Sequence, residues 1–398
     1  MKDIIKPFQG AVYNLKKFKT LERLVCPPYD VIDARLAARL RAASRYNYIH
    51  VLLPGKAYAA AGRRFRSWFK EHVFLDDLDD ALYLYSQDFS WGHKKYSRLG
   101  LIGLLRMDSG VYGHEHTLAK PKQDRSRLIR QVKANLSPIF VLVPRRVDRL
   151  HQALARRRAK KPTLYVKDFQ GITNRVWKIT GAEARDLAQA MSAQSMVIAD
   201  GHHRFEISYD YFRKSRGKYK DINYLMAYFT DAQDGLLVLP THRVVAIKEP
   251  CDEAVSRLSL FFDIQPIKFP AIDKALAGQD KRFRFVFYMG GQAYLMRLKS
   301  TALLSKMEVP ADYKRLNTYL LHNLVFKLVT PCSQFAYTHS AAQAQVLAGK
   351  DKAAFIINAV PLDLIFSMAR KGYKFPQKST YFYPKVLSGL VLRRFKSK

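Results

Sequence analysis

The chain has 398 residues, enough for two or three lobes with a sizeable core, and its 48% apolar content is that of a globular protein. No apolar run is long enough to cross a bilayer, and Met1-Lys2-Asp3-Ile4-Ile5-Lys6-Pro7 lacks the features of a signal peptide, so a cytoplasmic protein with no membrane partner is expected. The net charge of +35 favours polyanions, but the basic residues are spread along the whole chain, so non-specific binding at low salt is its plainest consequence. Three cysteines, Cys26, Cys251 and Cys332, lie far apart and outside any C-x-x-C pair. That spacing argues against a disulfide framework or structural zinc, and neither haem nor flavin is expected.

In chain order, Cys26-Pro27-Pro28-Tyr29-Asp30-Val31-Ile32 comes first. The paired prolines make a stiff extended segment that presents Tyr29 and Asp30 in a defined direction, or else form a plain turn. Residues 33–43 read as a helix, 47–54 as a strand and 57–71 as a helix. Leu82–Phe89 and Leu99–Leu105 read as two arms of a hairpin about Gly92.

A polar constellation follows. Gly113-His114-Glu115-His116-Thr117 leads into a helix opening near Pro121, on which Lys122 and Arg125 share a face. On an extended segment His114 and His116 point the same way and can chelate a metal, although no third ligand stands at a recognised spacing. Glu115 is a general-base candidate, since a carboxylate can accept a hydroxyl proton. The helix breaks at Asn135-Leu136-Ser137-Pro138, and 139–143 reads as a strand. The Arg- and Lys-rich stretch 145–162 reads as a surface linker or helix, 176–180 as a strand and 182–190 as a helix.

The chain then reaches Met196-Val197-Ile198-Ala199-Asp200-Gly201-His202-His203-Arg204. A buried strand, a glycine turn and the start of an amphipathic helix carrying Phe205, Tyr209 and Phe212 are predicted here. Backbone N–H groups and the positive dipole end at a helix start attract anions, and Arg204 adds a planar fork for phosphate or carboxylate. Asp200 is placed to cap the helix or to hold a metal ion. Beyond it, 224–229 and 236–245 read as strands, and 251–310 as a helix followed by a hairpin about Gly290-Gly291. Residues 312–329 read as a helix, 353–358 as a strand and 361–371 as a helix. Gly372–Ser379 imitates a phosphate-binding loop, but Gln377 replaces its second glycine and Pro376 removes an N–H, so that assignment is rejected. Lys378, Ser379 and Thr380 stand as polar donors to a shared cleft.

Seven motifs recur in this order in one family. They are 26–32, His114–Thr117, Lys122–Arg125, Asn135–Ile139, Ala199–Arg204, Pro240-Thr241-His242-Arg243 and Pro376–Lys385. The chain resembles the bacterial and archaeal domain-of-unknown-function family 1015, over nearly its whole length. Its Asp-Gly-His-His-Arg segment is similar to the Gly-x-x-Arg signature of the ParB/sulfiredoxin superfamily, which includes a free-serine kinase, nucleotide-hydrolysing partition proteins and a sulfinic acid reductase. Two positions depart from the usual family pattern: His116 stands where Arg is more frequent, and Phe205 where Tyr is frequent.

The fold class expected is mixed α/β, with a ParB/sulfiredoxin-like core over 151–250 between an N-terminal part, 1–150, and a C-terminal part, 251–398. The resemblance implies Mg²⁺ with ATP or ADP, phosphates held by Gly201, His202, His203 and Arg204, and Asp200 on the metal or ribose. Lys122 and Arg125 would add positive charge, while Glu115, Asp30 and His203 are the catalytic candidates. Substrate contacts are expected from Tyr29, His114, Thr117, Asn135, Ser137, His242, Lys378, Ser379 and Thr380. The function expected is a nucleotide-dependent phosphotransferase on a small hydroxylated, serine-like metabolite. The alternatives are a nucleotide-responsive, nucleic-acid-associated protein of the partition type and, more weakly, a metal hydrolase using His114, His116, His202 and His203.

Overall fold

The computed structural model describes residues 3–113, 119–232, 235–277, 283–329, 332, 334–349 and 351–398. These form two compact units. One takes the described chain up to Leu237 together with Pro384–Lys398, and the other takes Val238–Tyr383.

The strands of the first unit are β1 (Ile5–Lys6), β2 (Ala11–Tyr13), β3 (Phe74–Asp76), β4 (Ala81–Trp91), β5 (Lys94–Arg106) and β6 (Tyr112–Gly113). They continue with β7 (Ala134–Asn135), β8 (Ile139–Val143), β9 (Leu164–Lys167), β10 (Thr173–Thr180), β11 (Val197–Asp200) and β12 (Tyr224–Asp231). Its helices are α1 (Ala34–Ala43), α2 (Ile49–Leu52), α3 (Tyr58–Lys70), α4 (Ala119–Val132), α5 (Asp148–Ala155), α6 (Gly181–Ser192) and α7 (His202–Lys214).

A nine-stranded mixed sheet runs β6-β11-β8-β12-β5-β4-β10-β9, with β1 paired to β5. The β12–β8 and β11–β6 pairs are parallel and the others antiparallel. Strands from before and after residue 150 alternate, since β12 lies between β5 and β8. The 1–150 and 151–250 parts are therefore interleaved within one sheet. Leu82, Leu84, Leu101 and Phe229 pack with Leu150, Leu187 and Met191 in the core. The mixed α/β class holds.

The hairpin, the helices at 34–43, 58–70, 181–192 and 202–214, and the strand entering α7 form where the periodicity places them. The 47–54 stretch does not form a strand. Its centre is the short helix α2, because the Asn47 side chain accepts a hydrogen bond from Ile49 N at 3.0 Å and starts a turn.

The second unit contains a six-stranded sheet. Its strands include His242–Ala246, Phe262–Ile267, Arg284–Met289, Gln292–Leu298 and Lys352–Ile356. The Phe262–Ile267 strand was not anticipated; Pro266 hides it, which an edge position tolerates. The strand expected over 236–245 is interrupted at Pro240 into Leu237–Leu239 and His242–Ala246. The helix expected over 312–329 is broken into Ala311–Lys314, Asn317–Leu320 and a wide-turn segment, Leu321–Val329.

Candidate anion-binding site

β11 delivers the chain to Gly201, whose φ of 91° suits only a residue without a Cβ. A methyl group there would also lie 3.0 Å from Arg204 Nε and from Ile139 Cγ2, so the glycine makes room for the arginine to fold back over the turn. The first bond inside α7 runs from Phe205 N to Gly201 O at 2.9 Å. The N–H groups of His202, His203 and Arg204 precede it and have no acceptor within the helix.

Asp200 does not cap the helix. Its Oδ2 accepts from Arg204 Nη2 at 2.5 Å and its Oδ1 from Lys385 Nζ at 2.5 Å. Burial acts to raise the carboxyl pKa, but Lys385, Arg204 and then His202 outweigh it and hold the group well below the usual carboxylate range. Arg204 also donates through Nη1 to Pro138 O.

Arg125, on α4, is buried. It donates through Nη1 to Leu52 O at 2.5 Å, pairs with Asp124, and lies 4.6 Å from the centre of the Tyr29 ring. The Tyr29 hydroxyl is pushed up to about 12, by burial first and by Asp30; Arg204 and Arg125 work in the opposite sense. Tyr29, Arg125, Asn135, Ser137, Arg204 and Ser208 are the polar lining of one pocket of about 490 Å³, open solvent at its mouth included. The rest of the wall is aliphatic, from residues such as Leu52, Ile129 and Ile207.

Five residues singled out from four separate motifs thus share a single pocket. Like the two arginines, Asn135 and Ser137 already have structural duties. Asn135 Oδ1 accepts from Met226 N at 3.2 Å and Arg393 Nη1 at 3.2 Å, and Ser137 Oγ meets Ser388 Oγ at 2.6 Å. Lys122 forms an ion pair with Glu206 that ties α4 to α7. His202 is buried, His203 is half-buried, and Asp30 is exposed in a short helical turn, Tyr29–Val31.

His242, Lys378, Ser379 and Thr380 belong to the second unit. His242 is buried, and its Nδ1 accepts from Ile357 N at 3.3 Å. Burial, with His339 and Arg243 adding, lowers its pKa to about 3. Lys378 adopts φ of 57°, and its carbonyl accepts from Arg243 Nη2 at 3.1 Å. Ser379 Oγ donates to Pro376 O at 2.6 Å and meets Thr318 Oγ1 at 2.9 Å. Thr380 Oγ1 is buried with no hydrogen-bond partner among the described residues. His114, Glu115, His116 and Thr117 lie outside the described residues.

Asp200 does not fit the Mg²⁺ ligand expected of it. Both oxygens are held by cations, and the described residues contain no group of three or more His, Cys, Asp or Glu able to hold a metal. Lys385 is the participant missed from sequence: it ends the Pro376–Lys385 motif, and that position was the available signal.

Fold and pocket together define a mixed α/β protein with a pocket lined by Arg125 and Arg204 against the first two turns of α7. The chain belongs to the family described as a protein of unknown function, DUF1015, whose model matches residues 5–319. No curated protein matches it. Among solved structures it is similar to a free serine kinase in complex with ADP, at 14% identity, covering 70% of this chain and 86% of that one, with a TM-score of 0.36. It is also similar to C-terminally truncated SbnI from Staphylococcus aureus, at 10% identity, 72% and 85% coverage and a TM-score of 0.38. A conserved hypothetical protein from Pyrococcus furiosus matches at 14% identity, 71% and 91% coverage and a TM-score of 0.33. Among the described residues, no helix is long and apolar enough to cross a membrane.

Proposed function

We propose that the pocket beside α7 holds the phosphates of ATP or ADP, and that the protein transfers a phosphoryl group to a small hydroxylated metabolite of the serine type. One observation carries this reading: Tyr29, Arg125 and Arg204, from three distant motifs, line one pocket against the first two turns of α7. An aliphatic wall beside a cationic rim suits a ligand with both an organic and an anionic part. The ParB/sulfiredoxin-like character of this core belongs to the same proposal, on the likeness of the Gly201–Arg204 segment to the superfamily's Gly-x-x-Arg signature.

In the reaction, the acceptor hydroxyl oxygen forms a bond to the terminal phosphorus while the bond from that phosphorus to the bridging oxygen breaks. The nucleotide leaves with one phosphate fewer. The hydroxyl proton passes to a carboxylate, Glu115 or Asp30. Gly201, His202, His203 and Arg204 hold phosphate oxygens through backbone and side-chain donors, and Lys122 and Arg125 add positive charge. Tyr29, Asn135 and Ser137, which line the same pocket, are assigned to the acceptor.

Titration calorimetry with ATP and ADP, followed by product analysis with serine as acceptor, tests the reading. Saturable nucleotide binding that Arg204→Ala weakens at least about tenfold supports it. Binding and turnover unaffected by Arg204→Ala would overturn it. The charge of +35 favours a second reading, a nucleotide-responsive protein on nucleic acid. Equal affinity for any polyanion across a salt titration would reduce that reading to non-specific electrostatics.

A further inference from the structure

One face of the large sheet carries a row of buried polar residues. Arg98 on β5 lies opposite Gln87 on β4, and Gln87 lies opposite Asn174 on β10. All three are essentially inaccessible to solvent. Gln87 Nε2 donates to Asn174 Oδ1 at 3.0 Å, and the Tyr85 hydroxyl donates to the same oxygen at 2.6 Å.

The row ends on the backbone of the C-terminal segment. Arg98 Nη2 donates to Pro384 O at 2.5 Å and to Gln87 Oε1, and Gln87 Nε2 donates to Lys385 O at 3.2 Å. Two successive carbonyls, on either side of the Lys385 Cα, are therefore held from inside the sheet. Lys385 extends from this clamp to Asp200, with its side chain only 9% exposed.

Arg98 is an unusual choice for fastening a loop. Among the described residues no ion pair to a carboxylate compensates it; its guanidinium lies 4.9 Å from the Phe140 ring centre and 5.6 Å from that of Tyr228. Its Nε and Nη1 have no hydrogen-bond partner among the described residues. Burying a cation in this way is costly, and apolar packing would hold a segment in place more cheaply. What the arginine adds is positive charge and a fixed direction. Phe140 is the β8 partner of Asp200, so this charge sits behind the strand pair that carries the site. There, Lys385 and Arg204 share the Asp200 carboxylate, and an incoming phosphate oxygen can compete with that carboxylate for either cation.

We infer that Lys385 is a further phosphate-binding cation of this site, and that Arg98, acting through Gln87 and the Pro384–Lys385 backbone, is the residue that positions it. The inference rests on the phosphate reading given above and adds a ligand-facing group and its support to it.

Titration calorimetry of ADP and ATP on the full chain compares wild type with Lys385→Met, Arg98→Met, the double variant, Gln87→Leu and Arg204→Ala. Lys385→Met is expected to weaken binding about tenfold, the scale of one charge-assisted contact. Arg98→Met should weaken it comparably, and the double variant should be no worse than Lys385→Met, because positioning is worthless once the positioned group is gone. Gln87→Leu repeats the test with the buried arginine retained. Wild-type binding in Lys385→Met, or full additivity in the double variant, overturns the inference while loss of binding in Arg204→Ala leaves the phosphate reading standing. If wild type binds neither nucleotide, the phosphate reading falls and Lys385 loses its ligand role with it. The clamp itself is read without nucleotide, by acetylation of the Lys385 amine followed by mass spectrometry. A several-fold rise in its reactivity in Arg98→Met or Gln87→Leu, relative to the other lysines, supports the clamp; unchanged reactivity in both overturns it.

Discussion

Lys385 and Asp200 are 185 positions apart in the chain and meet at 2.5 Å. The contact brings the C-terminal segment to the strand end from which α7 starts, and Arg204 completes it from the other carboxylate oxygen. A carboxylate held in this way links stability, acid sensitivity and ligand affinity, and the three can be measured separately.

Arg204→Ala should destabilise the first unit by about 2 kcal/mol, because it leaves Asp200 with one cation and Pro138 O without its donor. The midpoint of urea denaturation reads this directly. Arg204→Lys should recover part of the loss, since a lysine keeps the charge but not the two-directional fork.

The Asp200 carboxyl has its pKa depressed in the folded state. Its contribution to stability is therefore complete above the ordinary aspartate value of about 4, and is lost as pH falls toward the folded-state value. Denaturation midpoints should drop on acidification below about pH 4, and Asp200→Asn should flatten that drop while lowering stability at neutral pH.

Gly201→Ala tests the turn. The left-handed φ of 91° strains any side chain, and the added methyl would press on Arg204 and Ile139 at 3.0 Å. A loss of about 1–2 kcal/mol is expected from the backbone conformation alone. Nucleotide affinity should fall further than a remote variant of equal stability would allow.

In the second unit, His242 titrates to about 3 because it is buried, and its Nδ1 is the acceptor for Ile357 N. The depressed pKa gives stability that is complete above the unfolded histidine value of about 6.5 and is lost as pH falls through the folded value. Amide exchange in His242–Ala246 and Lys352–Ile356 should accelerate as pH falls below about 6.5, once the intrinsic pH dependence of exchange is removed.

Cys26 is buried, and burial pushes its thiol far above the usual range. It should resist thiol reagents at pH 8 until the chain unfolds. Cys332 is raised to about 11, also by burial first, and should react slowly in the native protein. Counting modified thiols before and after denaturant settles both.

Much of this architecture follows from local pattern. The strand–glycine–helix turn at 197–214, the hairpin at 81–106 and the helices at 34–43, 58–70 and 181–192 arise from periodicity and from residues such as Gly201 that admit only a few backbone conformations. The polar residues worth attention were visible for a related reason: Asp200, Arg204 and Arg125 stand at or just inside expected helix starts, where a cap or an anion-binding group is called for. Sequence alone did not determine which of them meet. The two oxygens of Asp200 are claimed by Arg204, one helical turn away, and by Lys385, which only the folded sheet brings near. Arg98 gave no signal beyond being a charge within an apolar strand, and its role depends on pairing with Gln87 and on the segment laid across both. Local propensity acts over a few residues, whereas ion pairs and buried hydrogen bonds act through space, and the partners they select exist only once the strands are in register.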